Sequence, residues 1–351
     1  MRLRRGQATQ GSPPQPERQV MYGNGLHLPV LPAMVPPILE TVRATELPSA
    51  EEDFRVDWAG VRTRITMLPW APQRFRGTTS TRVPVPSDGY RSEAEEYVAL
   101  ALSLHSDRST YRVVELGAGW APWALMGIVC ARRLGKQASG IAVEADPLRA
   151  SWAMQHAADN DVSAELITGT VAAITEQLAT PMTTQLRVVQ AAAWTEATTL
   201  RFPVLPEDDM GGAASAESDP AMDYRGAHLD HVDVPAITLR DVLSAEQPTD
   251  LLHVDLQGQE AAVLLPEAEL IAQRVRFMVV GTHNRWVEGQ LQEAFLAGEW
   301  ALLMESPSTA FFDGVKPTLT GFTTHDGNQI WANSRFRDAD PRIIRHRTET
   351  G

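Results

Sequence analysis

Val113-Val114-Glu115-Leu116-Gly117-Ala118-Gly119-Trp120 is an apolar run broken by one acid and two glycines, and its reading decides the fold. A helix-compatible run from Ala121 to Arg133 follows, and Ile141-Ala142-Val143-Glu144 then ends in Ala145-Asp146-Pro147. The order is strand, tight glycine turn, helix, second strand and second helix start: one βαβ unit. Gly117 and Gly119 lack a Cβ, so the backbone turns sharply there and a ligand can approach closely. Glu144, at the tip of the second strand, stands where a carboxylate grips two ribose hydroxyls. The competing reading is a unit whose glycines only make a turn.

The rest of the composition narrows the function classes. At 351 residues there is room for one large domain or a domain with substantial additions. Hydrophobic content of 43% and charged content of 21% are ordinary for a soluble globular enzyme. A net charge of -13 argues against a nucleic-acid partner, because phosphate binding needs clustered Lys and Arg. The single cysteine, Cys130, falls in the apolar helix and reads as a buried thiol with no disulfide, compatible with the expected cytoplasmic location. No apolar run reaches the roughly 18 residues of a membrane helix, and no apolar segment follows the N-terminal arginines. Neither a membrane partner nor a secretory signal is expected.

Along the chain, residues 1–19 read as a disordered lead-in and 20–90, with recurrent prolines, as a cap or an interface for a homo-oligomer. Residues 91–335 form the main α/β domain, with an insertion near 200–235, and 336–351 a surface tail. Arg55 to Met67 fits a strand or hairpin. Ser92 to His105 fits an amphipathic helix, with Ser92 as N-cap and Glu95 at the capping-box position. Ala164 to Val171 and Leu186 to Trp194 both fit the third parallel strand. The first choice brings Gly169-Thr170 to the ligand, the second Ala192 to Thr195.

A second informative stretch runs from Asp250 to Glu260. Leu251 to Leu256 reads as a buried strand ending in polar groups and Gly258. Arg274 to Gly281 reads as another, ending in Thr282-His283-Asn284-Arg285, and Thr318 to Asn333 as a hairpin around Asp326-Gly327-Asn328. Alternating strands and helices imply a Rossmann-like parallel sheet, helices on both faces, with ligands at the carboxyl ends of its strands. His253, Asp255 and Gln257 then point to one side. His283 is the candidate base, because an imidazole titrates near working pH. Asp255 would orient it, position the substrate or hold a divalent metal, and His253 is the third catalytic candidate. Tyr90, Tyr224 and Arg285 are candidate substrate contacts. Asp223, Arg225, His228 and His231 would join them if the insertion folds over the cleft.

The glycine turn bears on the cofactor. A dinucleotide fingerprint wants a third small residue where Pro122 stands, and Glu115 is a poor neighbour for pyrophosphate. Glu-x-Gly-x-Gly followed by a strand ending in an acid resembles the S-adenosylmethionine site of class I methyltransferases. Together with Ile-Thr-Leu-Arg-Asp-Val-Leu at 237–243 and His-Val-Asp-Leu-Gln-Gly-Gln-Glu at 253–260, it resembles the FkbM-like methyltransferases over roughly 90–333. The resemblance implies an S-adenosylmethionine-dependent O-methyltransferase acting on hydroxyls of sugars, glycans or natural products. It puts Glu115 near the methionine ammonium, Gly117, Ala118, Gly119 and Trp120 along the cofactor, and Glu144 and Ala145 at the ribose. It adds Gly169, Thr170, Asp255 and Gln257 to the cofactor contacts. Gln257 stands where the family usually has an acid, so no metal is assigned. An NAD(P)-dependent oxidoreductase and a non-catalytic protein of the same fold remain the alternatives.

Overall fold

The computed structural model describes residues 29–212, 227–243, 247–298, 300–312 and 318–336. The proposed lead-in, Asp223, Tyr224, Arg225 and nearly all of the tail therefore lie outside the described residues. Eight strands form the main sheet: β1 (Thr110–Leu116), β2 (Gln137–Glu144), β3 (Ala164–Ile167), β4 (Leu186–Gln190), β5 (Thr249–Val254), β6 (Val275–Thr282), β7 (Trp300–Ser306) and β8 (Gly327–Asn333). Their order is β7-β8-β6-β5-β1-β2-β4-β3. Neighbours from β6 through to β3 run parallel, whereas β8 is antiparallel to both β6 and β7. The chain leaves β1 towards β2 and returns to β5 on the other side, with Leu251 facing both Val113 and Phe277. Such a reversal opens a crevice beyond the carboxyl end of β1.

Successive strand residues point to opposite faces, and the core divides accordingly. Val113, Leu251 and Phe277 join one apolar cluster with helices α1 (Val35–Glu40), α2 (Ala94–Leu104), α3 (Pro122–Arg133) and α4 (Pro147–Asp159). Val114, Leu252 and Met278 join the other with α5 (Glu260–Leu264) and α6 (Arg285–Leu296). The near-continuous apolar strands are those of a sheet covered on both sides. No helix among the described residues is long and apolar enough to cross a membrane.

Residues 29–90 are tied into this core. Phe54–Val56 and Arg62–Arg64 pair as an antiparallel hairpin. Trp58 is buried beside it, donates to the Leu39 carbonyl at 3.1 Å and meets Tyr97 of α2 edge-on at 5.1 Å. Arg91 reaches Asp57 at 3.1 Å, joining the start of the main domain to the hairpin.

Two local expectations change and one open choice is settled. Ser92 does not cap α2: the helix begins at Ala94 after Glu93, because Asp88 Oδ1 accepts from the backbone of Tyr90, Arg91 and Ser92 and holds Ser92 in a preceding turn. Thr318 to Asn333 is not a hairpin on itself. Thr323–His325 pairs with Thr309–Ala310, and after Asp326 the chain enters the main sheet as β8. Of the two candidate third strands, Leu186–Gln190 lies beside β2, and Ala164–Ile167 is the sheet edge.

Candidate active site

A cleft of about 670 Å³ opens at the carboxyl ends of β1, β2, β5 and β6. Its floor is the turn after β1. Gly117 has φ +70°, and a Cβ there would stand 1.7 Å from the Asp255 carbonyl oxygen, so the end of β5 excludes any side chain. The Gly117 and Ala118 N–H groups both donate to the Val143 carbonyl at 3.0 Å, locking the turn onto β2.

Two buried carboxylates flank this turn. Glu144 accepts from Gly119 N at 2.7 Å and from Asp146 N at 2.8 Å, one bond to each oxygen. Glu115 accepts from Ala124 N at 2.7 Å and Trp123 N at 3.3 Å, satisfying donors at the first turn of α3. Burial pushes each carboxyl up to about 7 against those hydrogen bonds. Glu115 lines the cleft and, like Glu144, carries one backbone hydrogen bond on each oxygen. Behind the turn, His156 Nδ1 lies 3.0 Å from the Trp120 carbonyl, and burial pushes that imidazole down to about 4, so it stays neutral.

The wall beside β2 comes from Ala145, from Ala191 to Trp194 after β4, and from Phe202 and Leu205. Arg149 of α4 donates to the carbonyls of Pro206, Glu207 and Asp209 at 2.7, 3.2 and 2.6 Å, fastening this segment above the turn. Met210 Cε stands 2.8 Å from where a Cβ on Gly119 would be. Trp70 packs tilted against Trp120 at 5.3 Å and both line the cleft, so residues 29–90 contribute to it as well.

Across the turn the acids are partnered by histidines. Asp255 keeps 40% of its side chain exposed and faces His283 Nε2 at 3.2 Å. The other ring nitrogen of His283 lies 2.8 Å from Glu260 Oε1, which also accepts from Leu256 N and Gly258 N at 2.9 and 3.0 Å. Gln257, at φ +53°, turns back to donate to Asp255 at 2.7 Å. Burial opposes charge on His283, but Glu260 and Asp255 outweigh it and hold the ring well above the usual imidazole range. Burial would raise Asp255; His283 more than reverses this and holds it low. With a carboxylate at each nitrogen, His283 is an imidazolium and not the free base expected from the sequence. Asp255, Glu260 and His283 each place a ligand-type atom within 4.8 Å of the others.

His253 forms a second pair, with Nε2 2.8 Å from Glu96 and its ring stacked on Trp123 at 5.5 Å. Burial lowers its pKa, but Glu96 raises it by more, for a net increase.

Of the described residues singled out from the sequence, Gly169, Thr170 and Arg285 lie outside the cleft. Gly169 and Thr170 follow the edge strand β3, one strand too far out, and Thr170 caps the next helix. Arg285, with 63% of its side chain exposed, pairs at 3.4 Å with the buried Glu288 of α6. Among the insertion histidines, His228 and His231 do not reach the cleft. The catalytic candidates, Tyr90, Gln257 and the residues of the turn do line it. Sequence reasoning missed Glu96 and the clamp role of Glu260. Helical spacing from Glu96 to the buried Leu100 and Ser103 was a usable signal, since it puts an acid on the inward stripe of α2.

Comparison with known proteins bears on the family of the chain. Residues 126–308 match the profile of the methyltransferase FkbM domain. A relative from Jannaschia sp. (strain CCS1), described as "Putative methyltransferase", is 27% identical over 279 residues, 79% of this chain and 91% of its own. Among solved structures, the chain is similar to a human methyltransferase 10 domain containing protein (12% identity, 68% of this chain, 80% of that one, TM-score 0.34). It is similar also to a precorrin-6y C5,15-methyltransferase from Geobacter metallireducens GS-15 (9% identity, 70% and 92%, TM-score 0.34). With more than half its length matched by that profile, the chain belongs to the FkbM methyltransferase family.

Proposed function

We propose that the protein transfers a methyl group from S-adenosylmethionine to a hydroxyl oxygen of a small molecule or glycan. The observation that carries this reading is a partly exposed carboxylate, Asp255, braced by His283 and opening into the same cleft as the Gly117–Gly119 turn and Glu144. Each Glu144 oxygen uses one acceptor site on a backbone N–H and retains capacity for a ribose hydroxyl. Ala145, Ala192, Trp194 and Phe202 offer the apolar walls that an adenine ring needs. Bound there, S-adenosylmethionine supplies an electrophilic methyl carbon, and its sulfur keeps the electron pair of the broken C–S bond. Asp255 accepts the hydrogen bond of the attacking hydroxyl. As the oxygen gains the methyl its proton becomes strongly acidic, so even a carboxylate held at low pKa takes it up. His283 fixes the carboxylate and balances its charge.

Calorimetric titration of S-adenosylmethionine and S-adenosylhomocysteine into wild type and Glu144→Ala tests the reading. Expected is binding to wild type that weakens by about tenfold or more in the variant, the loss of hydrogen bonds to a charged acceptor. Binding of neither compound to folded wild-type protein overturns it.

A further inference from the structure

Around Asp255 and His283, carboxylates outnumber cations among the described residues that line the cleft. Glu93, Glu96, Asp255 and Asp326 line it, with Glu260 behind them. Among the described residues the neighbouring cations are spent. Arg91 is held by Asp57, Thr63 and Tyr90, His253 by Glu96, and His283 by Asp255 and Glu260. His325 hydrogen-bonds Thr309. Among the described residues Glu93 and Asp326 have no ion-pair partner. Burial raises the Asp326 carboxyl and His283 draws it back, but Asp255, Glu260 and Glu93 push it up again, which reports crowded negative charge. A separate observation points to a hydroxylated ligand. His253, with 4% of its side chain exposed, lines the cleft, and its Nδ1 has no partner in the protein. Thr320, Thr323 and Asn328 add neutral hydrogen-bonding groups nearby.

We infer that the acceptor carries a protonated amine close to the hydroxyl that is methylated, as in an amino sugar or another aminated polyol, with its ammonium drawn to Glu93 and Asp326. Unpaired carboxylates on the wall of a cleft focus their field into it and favour a cation there over a neutral or anionic isostere. The inference rests on the methyl-transfer reading above.

Glucosamine, glucose and glucuronic acid present one ring in three charge states. Their binding is to be followed by ligand-observed NMR on protein saturated with S-adenosylhomocysteine. Glucosamine is expected to bind about tenfold more tightly than glucose, with glucuronic acid weakest. Glu93→Gln combined with Asp326→Asn should shrink that preference to about twofold while S-adenosylhomocysteine affinity holds. Equal occupancy by the three rings, occupancy by none, or a preference that survives in the double variant overturns the inference. So does a double variant that loses affinity for the sulfonium of S-adenosylmethionine but not for S-adenosylhomocysteine, since the acids would then serve the cofactor. If S-adenosylhomocysteine fails to bind wild type at the outset, the methyl-transfer reading falls and takes this inference with it.

Discussion

The two halves of the cleft are built from the same residue type and differ in what partners it. Beside the glycine turn, Glu115 and Glu144 are buried and meet only backbone N–H groups, so burial dominates and both carboxyls rise to about 7. Across the turn, Asp255 and Glu96 meet imidazoles, and the histidines become the charged partners. A backbone dipole stabilises a buried carboxylate without adding a charge, whereas an imidazole shares a proton with it and couples the titration of both. The first half is suited to gripping neutral hydroxyls. The second is suited to receiving a proton.

The halves touch at Gly117, and this contact is where the comparison breaks most completely. In Gly117→Ala the new Cβ would overlap the Asp255 carbonyl at 1.7 Å, and φ +70° would strain the backbone. The expected loss is about 3 kcal/mol or more, read from the midpoint of urea unfolding, together with both ligand functions. An unchanged midpoint would mean that the turn and β5 do not meet as described. A smaller but more selective break is Asp255→Asn. It keeps the shape and removes the proton acceptor, so turnover of a methylated acceptor should fall by about 100- to 1000-fold. S-adenosylhomocysteine affinity should stay within about threefold, because that ligand needs no proton acceptor. Equal losses in binding and turnover would show that the halves do not act separately.

The same contrast explains what could be read from the sequence. The glycine half is local: Glu115, the turn, α3 and Glu144 fall within thirty residues, and a tight turn between a strand and a helix dictates where their N–H groups point. The histidine half is not local. Glu96 meets His253 across 157 residues, and Glu260 meets His283 across 23, so nothing in a short window distinguishes a clamped imidazolium from a free base. The misplacement of Gly169-Thr170 has a similar origin, since two strands of equal promise competed for the place beside β2 and only long-range pairing chose between them.

A milder test sharpens the difference by pH alone. The Glu144 carboxyl sits at about 7 in the fold against 4.5 as its ordinary value. The neutral form is thus the one the fold favours, and the protein without ligand should lose stability as pH rises from about 4.5 to about 7. Ligand binding has the opposite sign. Two hydroxyls donate best to an ionised carboxylate, and the ionised fraction rises from about one-tenth at pH 6 to about nine-tenths at pH 8 for a pKa of about 7. S-adenosylhomocysteine affinity, followed by calorimetry, should therefore increase up to about ninefold across that interval. Glu144→Gln should flatten this rise while leaving part of the stability slope, because Glu115 titrates in the same range and is untouched. If the affinity rise persists in Glu144→Gln, the group that grips the hydroxyls is not Glu144, and Glu115 becomes the carboxylate to replace next.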